Sequence, residues 1–250
     1  MDYQYILVDV KDRIATVTIN RPEYSNAFAR ESYFEIADAM NTLGAREDVG
    51  AIVITGAGKH FSAGGDIKRF KMLVDTGAYL KAEDIEAVSA MPMSIRNCPK
   101  PVIAMINGVA TGAGLSCALA CDFRIVEPSS KMIMAFVNMG LCGDNESIYT
   151  LMRLVGPDKA ELMMMTGDAY KGEQCVKTGL ATVLAEDGKL AETTYALAAK
   201  LASKSSTAHA GQKRLIRKYF YGGMENFAKD EGIEMAAASR QPDFTEAVNA

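Results

Sequence analysis

Long apolar runs, paired cysteine spacings and a long basic stripe are all missing from this chain. No stretch of about 18 apolar residues occurs, so no segment reads as a membrane-spanning helix. The opening MDYQYILVDV has no basic segment followed by an apolar one, which argues against a secretory signal and makes a cytoplasmic location the expectation. The five cysteines (Cys98, Cys117, Cys121, Cys142, Cys175) are an odd set without metal-ligand spacing, and no metal site is expected. Cys117 and Cys121, four apart in an apolar helical pattern, read as small buried hydrophobes. There is no tryptophan, and the only histidines are His60 and His209. A net charge of −4 and a pI of about 5.4, with no long basic stripe, weigh against a nucleic-acid partner. No low-complexity linker divides the chain.

What is present fits one large domain with a full core: 250 residues, 49% hydrophobic and 23% charged. Residues 3–10 and 13–20 alternate apolar and polar side chains around Lys11-Asp12, which predicts a hairpin with one buried face. Ser25 or Asn26 is placed to cap a helix running to about Leu43, with Phe28, Phe34, Ile36, Met40 and Leu43 on its apolar side. Residues 51–55 form a short apolar strand ending at Gly56-Ala57-Gly58. Residues 69–97 read as helix punctuated by Gly77 and Pro92. Further strands are expected at 101–106 and 123–126, helices at 148–155 and from Pro157 to 165, and a turn with a short strand over 176–183. From Lys189 the pattern is helical to the end, broken at Gly222-Gly223. This alternation is an α/β arrangement with a helical carboxyl-terminal part.

Two stretches organise the rest. In residues 107–122, NGVATGAGLSCALACD, an apolar strand feeds Gly112-Ala113-Gly114 and then a helix. In residues 60–68, HFSAGGDIK, a second small-residue turn opens another helix, with Asp66 suited to the helix dipole. A small-residue turn at a helix start leaves backbone N–H groups unpaired and able to face a negative charge. One such turn alone is as much a packing device as an anion site.

Taken together with Ile19-Asn20-Arg21-Pro22-Glu23, Asn26-Ala27, Cys121-Asp122, Gly140-Leu141, Asp144 and Arg153-Leu154-Val155-Gly156, these motifs resemble the crotonase (enoyl-CoA hydratase/isomerase) superfamily over essentially the whole chain. The resemblance implies a spiral of ββα repeats over residues 1–190. It also implies a helical trimerisation segment over 191–250, and a homotrimer or a dimer of trimers. The substrates implied are acyl-coenzyme A thioesters, with no separate cofactor, no nucleic acid and no membrane as partner. The Gly65 and Ala113 N–H groups would form an oxyanion hole for the thioester enolate, each donor worth roughly 3 kcal/mol. Ser25, Ala27, Ala63, Asp66, Ile67 and Lys68 match coenzyme A-binding positions, and Gly112, Ser116, Phe136 and Leu141 the acyl pocket. Lys59, His60, Lys68, Arg69 and Lys71 make a local basic group that suits phosphates. The resemblance further implies a short tail beyond Ala250 that contributes to a neighbouring subunit's site.

The hydratases of this superfamily use two glutamates. Their positions fall at Ser116 and near Phe136, where no acid stands, and neither side chain can deprotonate water at neutral pH. Asp144 matches the acid of single-acid isomerases, in which one carboxylate moves a proton two carbons along the acyl chain. Glu146 is a second candidate base, and capping of the following helix is the structural alternative for Asp144. The position also matches the nucleophile of 4-chlorobenzoyl-CoA dehalogenase, but that enzyme's histidine and tryptophan would fall near Met93 and Phe136. The expectation is an enoyl-CoA isomerase. Hydratase-like, decarboxylase and dehalogenase-like activities, or non-catalytic acyl-CoA binding, are the alternatives.

Overall fold

A computed structural model describes residues 2–250. The expected hairpin forms. Strand β1 (Ile6–Lys11) pairs antiparallel with β2 (Ile14–Ile19). Asp12 and Arg13 make the turn, both at positive φ (51° and 66°), which matches the twist of the flanking strands. Helix α1 (Arg30–Ala45) starts later than Ser25 or Asn26 would place it. Both residues lie in the left-handed region, and the Asn26 amide is engaged elsewhere. It donates to the carbonyls of Ala57 and His60 and accepts the Arg21 N–H, stapling three loops together. The helical phase also differs from expectation: Tyr33 is buried on the inner face, while Phe34 is exposed.

Strand β3 (Ala51–Gly56) follows, and then three helices stand where one was expected: α2 (Ile67–Thr76), α3 (Ala82–Val88) and α4 (Ala90–Asn97). Gly77, at φ 66°, ends α2 in the left-handed conformation that only glycine adopts without cost. Pro92 falls in the first turn of α4, where its missing N–H is no loss. Next come β4 (Val102–Met105), β5 (Val109–Thr111), α5 (Ala113–Ala120), β6 (Phe123–Val126) and β7 (Lys131–Ile133). A 3₁₀ turn (Ala135–Met139) leads to α6 (Ser147–Val155) and α7 (Pro157–Thr166). Strand β8 (Ala169–Lys171) and helix α8 (Gly172–Thr178) come next, and the turn and short strand expected over 176–183 follow as the Gly179 turn and the two-residue β9 (Val183–Leu184). Four helices close the chain: α9 (Leu190–Ala202), α10 (Ser206–Tyr219), α11 (Met224–Ala238) and α12 (Pro242–Asn249).

Six strands form one sheet in the order β1-β2-β3-β4-β6-β9, parallel from β2 onward. The smaller sheet runs β5-β7-β8 and is extended by bridges from Ser62 to Ala110 and from Phe28 to Gly65. Each pass of the chain therefore places a strand in the large sheet, a short extended piece in the small one, and then helix. That is a spiral of ββα units.

The large sheet is covered on both faces, so its central strands are apolar throughout. Ile52 and Ile54 join the main core, while Ala51 and Val53 join a second cluster closed by Ala198 and Ala202 of α9. The carboxyl-terminal helices thus return to the core. Helix α11 packs on α3, and α12 packs on α2 and the 3₁₀ turn. By contrast, α10 buries no residue and exposes Leu215, Ile216, Tyr219 and Phe220. Among the described residues no helix is long and apolar enough to cross a membrane.

Candidate active site

The two small-residue turns meet because glycine lets their backbones approach. Gly64 lies at φ 91°, and a Cβ there would stand 2.8 Å from the Thr111 carbonyl oxygen and 3.4 Å from the Ala113 nitrogen. Gly112, at φ 52°, precedes α5 in a conformation closed to other residues. Gly114 packs so tightly on Ser62 that a Cβ would fall 2.6 Å from the Ser62 Cβ. Ser62, wholly buried, ties the first turn by donating to the Asn26 carbonyl and accepting the Gly64 N–H. Several neighbouring amides are engaged: Ala63 donates to Ser25, Gly112 to Ile133 and Asp66 to Phe28. Among the described residues, the Gly65 and Ala113 N–H groups donate to no protein acceptor. Both line one cavity of about 180 Å³.

That cavity is mainly apolar, walled by Phe28, Phe70, Leu80, Ile85, Phe136 and Met235. Its polar groups are few: Asp66, Arg69, Thr111, Tyr33 and Asp144. Asp144 is 7% exposed, and its Oδ1 has no partner. Burial pushes its carboxyl up to about 6, against weaker opposing pulls from the Asn145 side chain and the Arg69 charge. Burial, reinforced by the Asp144 charge, holds the Tyr33 phenol well above its ordinary range. Asp144 does not cap α6 with its side chain; that helix begins after Glu146, without a side-chain cap. Only the Asp144 carbonyl is used, accepting from the Ser147 N–H at 3.2 Å and the Ser116 hydroxyl at 3.3 Å.

Of the residues singled out in the sequence, Asp144, Gly65, Ala113, Ala63, Asp66, Ile67, Gly112, Phe136 and Leu141 line this cavity. Ser25, Ala27, Lys68, Ser116 and Glu146 do not. Ser116 is a correction to the pocket expectation: it is 1% exposed and bonds the Gly112 and Asp144 carbonyls, bracing one turn against the other. Glu146 is wholly buried behind Asp144, with neither carboxyl oxygen partnered and its carboxyl pushed up to about 8 by burial. The Asp66 carboxylate caps α2 at the Lys68 N–H and pairs with Arg21, so it is already committed. The basic group disperses. Lys71 pairs with Asp75, Lys68 sits over the Tyr24 ring, and Arg69 turns into the cavity wall.

Sequence reasoning missed Tyr33 and Glu231. The first reads as one more residue of an amphipathic helix. Glu231 lies in a segment whose pattern says only helix, yet it is 4% exposed and accepts the Glu146 N–H at 2.7 Å.

The enoyl-CoA hydratase/isomerase family model matches residues 9–240. Trans-2-decenoyl-[acyl-carrier-protein] isomerase of Streptococcus mutans is 30% identical, with 98% of this chain and 99% of that protein covered. A probable enoyl-CoA hydratase of Mycobacterium tuberculosis is 34% identical, with 74% of this chain and 71% of that protein covered. The crystal structure of an enoyl-CoA hydratase from Mycobacterium avium subsp. paratuberculosis superposes with a TM-score of 0.89 at 26% identity, covering 100% of this chain and 96% of that one. With the motifs in order and the spiral and paired turns in place, the chain belongs to the enoyl-CoA hydratase/isomerase family of enzymes.

Proposed function

We propose that this enzyme is an enoyl-thioester isomerase in which Asp144 is the single acid–base group. One observation carries the reading: a buried carboxyl with a free oxygen lines the same cavity as two unengaged N–H groups. The Gly65 and Ala113 N–H groups donate to the thioester carbonyl oxygen and stabilise the negative charge that grows on it as the enolate forms. Asp144 takes a proton from the carbon next to the thioester carbonyl and returns it two carbons along, so the double bond moves and no atom is gained or lost. The base begins ionised at neutral pH and its raised affinity for the proton suits the transfer.

Hydration is less well supported. It needs a second acid facing a water molecule, and the lining offers only Asp66, which Arg21 already holds. The apolar wall from Phe28 to Met235 supports an aliphatic acyl group. The S. mutans relative, an isomerase by name, supports the same reaction class, and its carrier-protein substrate makes both thioester carriers worth testing. The same reading includes assembly as a homotrimer or a dimer of trimers.

The test is to incubate purified protein with a 3-enoyl thioester of coenzyme A or of acyl carrier protein and follow the conjugated 2-enoyl product by absorbance. Conversion is expected, with Asp144→Asn slower by about 10²- to 10⁴-fold. Absence of conversion on both carriers, or undiminished turnover by the variant, rejects the reading.

A further inference from the structure

The turn that carries Asp144 is in an unfavourable backbone conformation. Asn145 and Glu146 lie at φ 55° and 51°, two successive non-glycine residues in the left-handed region. Such residues persist where surrounding structure over-determines them. Two contacts reach this turn from distant elements. Ser116 on α5 holds the Asp144 carbonyl, and Glu231 on α11 accepts the Glu146 N–H. The peptide units that follow the Asp144 side chain are therefore held by two different helices, α5 and α11.

We infer that Glu231 is a positioning residue for Asp144, and that helix α11 is in this way a working part of the active site. The inference rests on the isomerase reading only for what Asp144 does once positioned. One helical turn beyond Glu231, Met235 forms part of the cavity wall. Between them Gly232 lies against α3, where a Cβ would stand 3.1 Å from the Ala82 carbonyl oxygen, and α3 supplies Ile85 and Val88 to the same wall. A single contact surface thus fixes the helix, the wall and the turn relative to one another.

Glu231 does its work as an acceptor. Burial, then the charges of Asp144 and Glu146, raise its carboxyl well above the ordinary range. A neutral carboxyl still offers its carbonyl oxygen to the Glu146 N–H, and so does the amide of glutamine. Leucine and methionine offer no oxygen.

The test uses the full chain with Glu231→Gln, Glu231→Leu and Glu231→Met. Amide exchange at Glu146 should be at least tenfold faster in the Leu and Met variants and within threefold of wild type in Gln. Turnover of the 3-enoyl thioester should follow the same order: kcat falls at least tenfold in Leu and Met with KM within threefold, and Gln stays within threefold. Met is the second route should Leu fail to fold. Equal exchange in all four proteins overturns the inference. So does a Gln variant as impaired as Leu, which would assign the work to the Glu231 proton. If wild type itself turns over no enoyl thioester, the isomerase reading falls, and the exchange arm alone decides the clamp.

Discussion

Under the isomerase proposal, Asp144 is the residue at which stability and chemistry oppose one another. Its folded-state carboxyl is raised from 3.8 to about 6, so between those pH values the folded protein binds more protons than the unfolded chain. Stability accordingly falls as pH rises through that window, and the loss persists above about 6. At one raised unit per roughly 1.4 kcal/mol, ionisation of this group costs the fold about 1–3 kcal/mol at neutral pH. Asp144→Asn removes the charge, and the variant is expected to melt higher than wild type at pH 7 and no higher at pH 4. Calorimetry at the two pH values checks this; an equal shift at both would mean that the carboxylate charge is not the cause. The matching kinetic expectation is that kcat/KM rises with pH through about 6 as the base ionises, then levels. Tyr33, beside Asp144 and held protonated, stays neutral across that range.

In the proposed reaction the paired turns are the element on which the chemistry rests. Each follows a strand and opens a helix, and the Gly65 and Ala113 N–H groups they carry into the cavity donate to no protein acceptor. Gly65→Pro deletes one of those donors, and a proline there lies near the Phe70 ring, which can shift. With a donor of this kind worth roughly 3 kcal/mol, kcat should fall about 10²- to 10³-fold while KM changes far less. Comparable losses in both constants would make the turn a binding scaffold only. The sequence showed both turns, because Gly64-Gly65 and Gly112-Ala113-Gly114 each stand just before a helical pattern. It did not show that Ser116 sits behind the wall rather than in it, since the direction of a helical side chain follows from what the helix packs against. Nor did it place the start of α1. Ser25 and Asn26 carry the residue types of a helix cap, but Asn26 is drawn to the Ala57 and His60 carbonyls, contacts 31 and 34 residues away.

For the whole molecule, the carboxyl-terminal helices divide their tasks. Helix α9 seals the second face of the large sheet, α11 and α12 close on the elements around the cavity, and α10 with the following Phe220 presents a cluster of exposed apolar side chains. The trimer reading gives that surface a role, because Leu215, Ile216, Tyr219 and Phe220 would leave water on assembly. Light scattering should return about 81 kDa, three times the 26.9 kDa chain, or twice that mass. Leu215→Glu with Tyr219→Glu should lower it. A wild-type monomer would remove assembly from the proposal.

By itself the sequence determined the alternation of strand, turn and helix, and the two places where backbone donors face outward. It also determined that Ser116 and Phe136 carry no acid. These are local matters, settled by steric freedom at glycine, by side-chain periodicity and by residue identity. Only the tertiary structure decided that Asp144 faces the same cavity as Gly65 and Ala113, that Tyr33 stands beside it, and that Glu231 grips its turn from 85 residues away. Burial decides the charge state of those groups, and burial is a property of neighbours that come together only when the spiral closes.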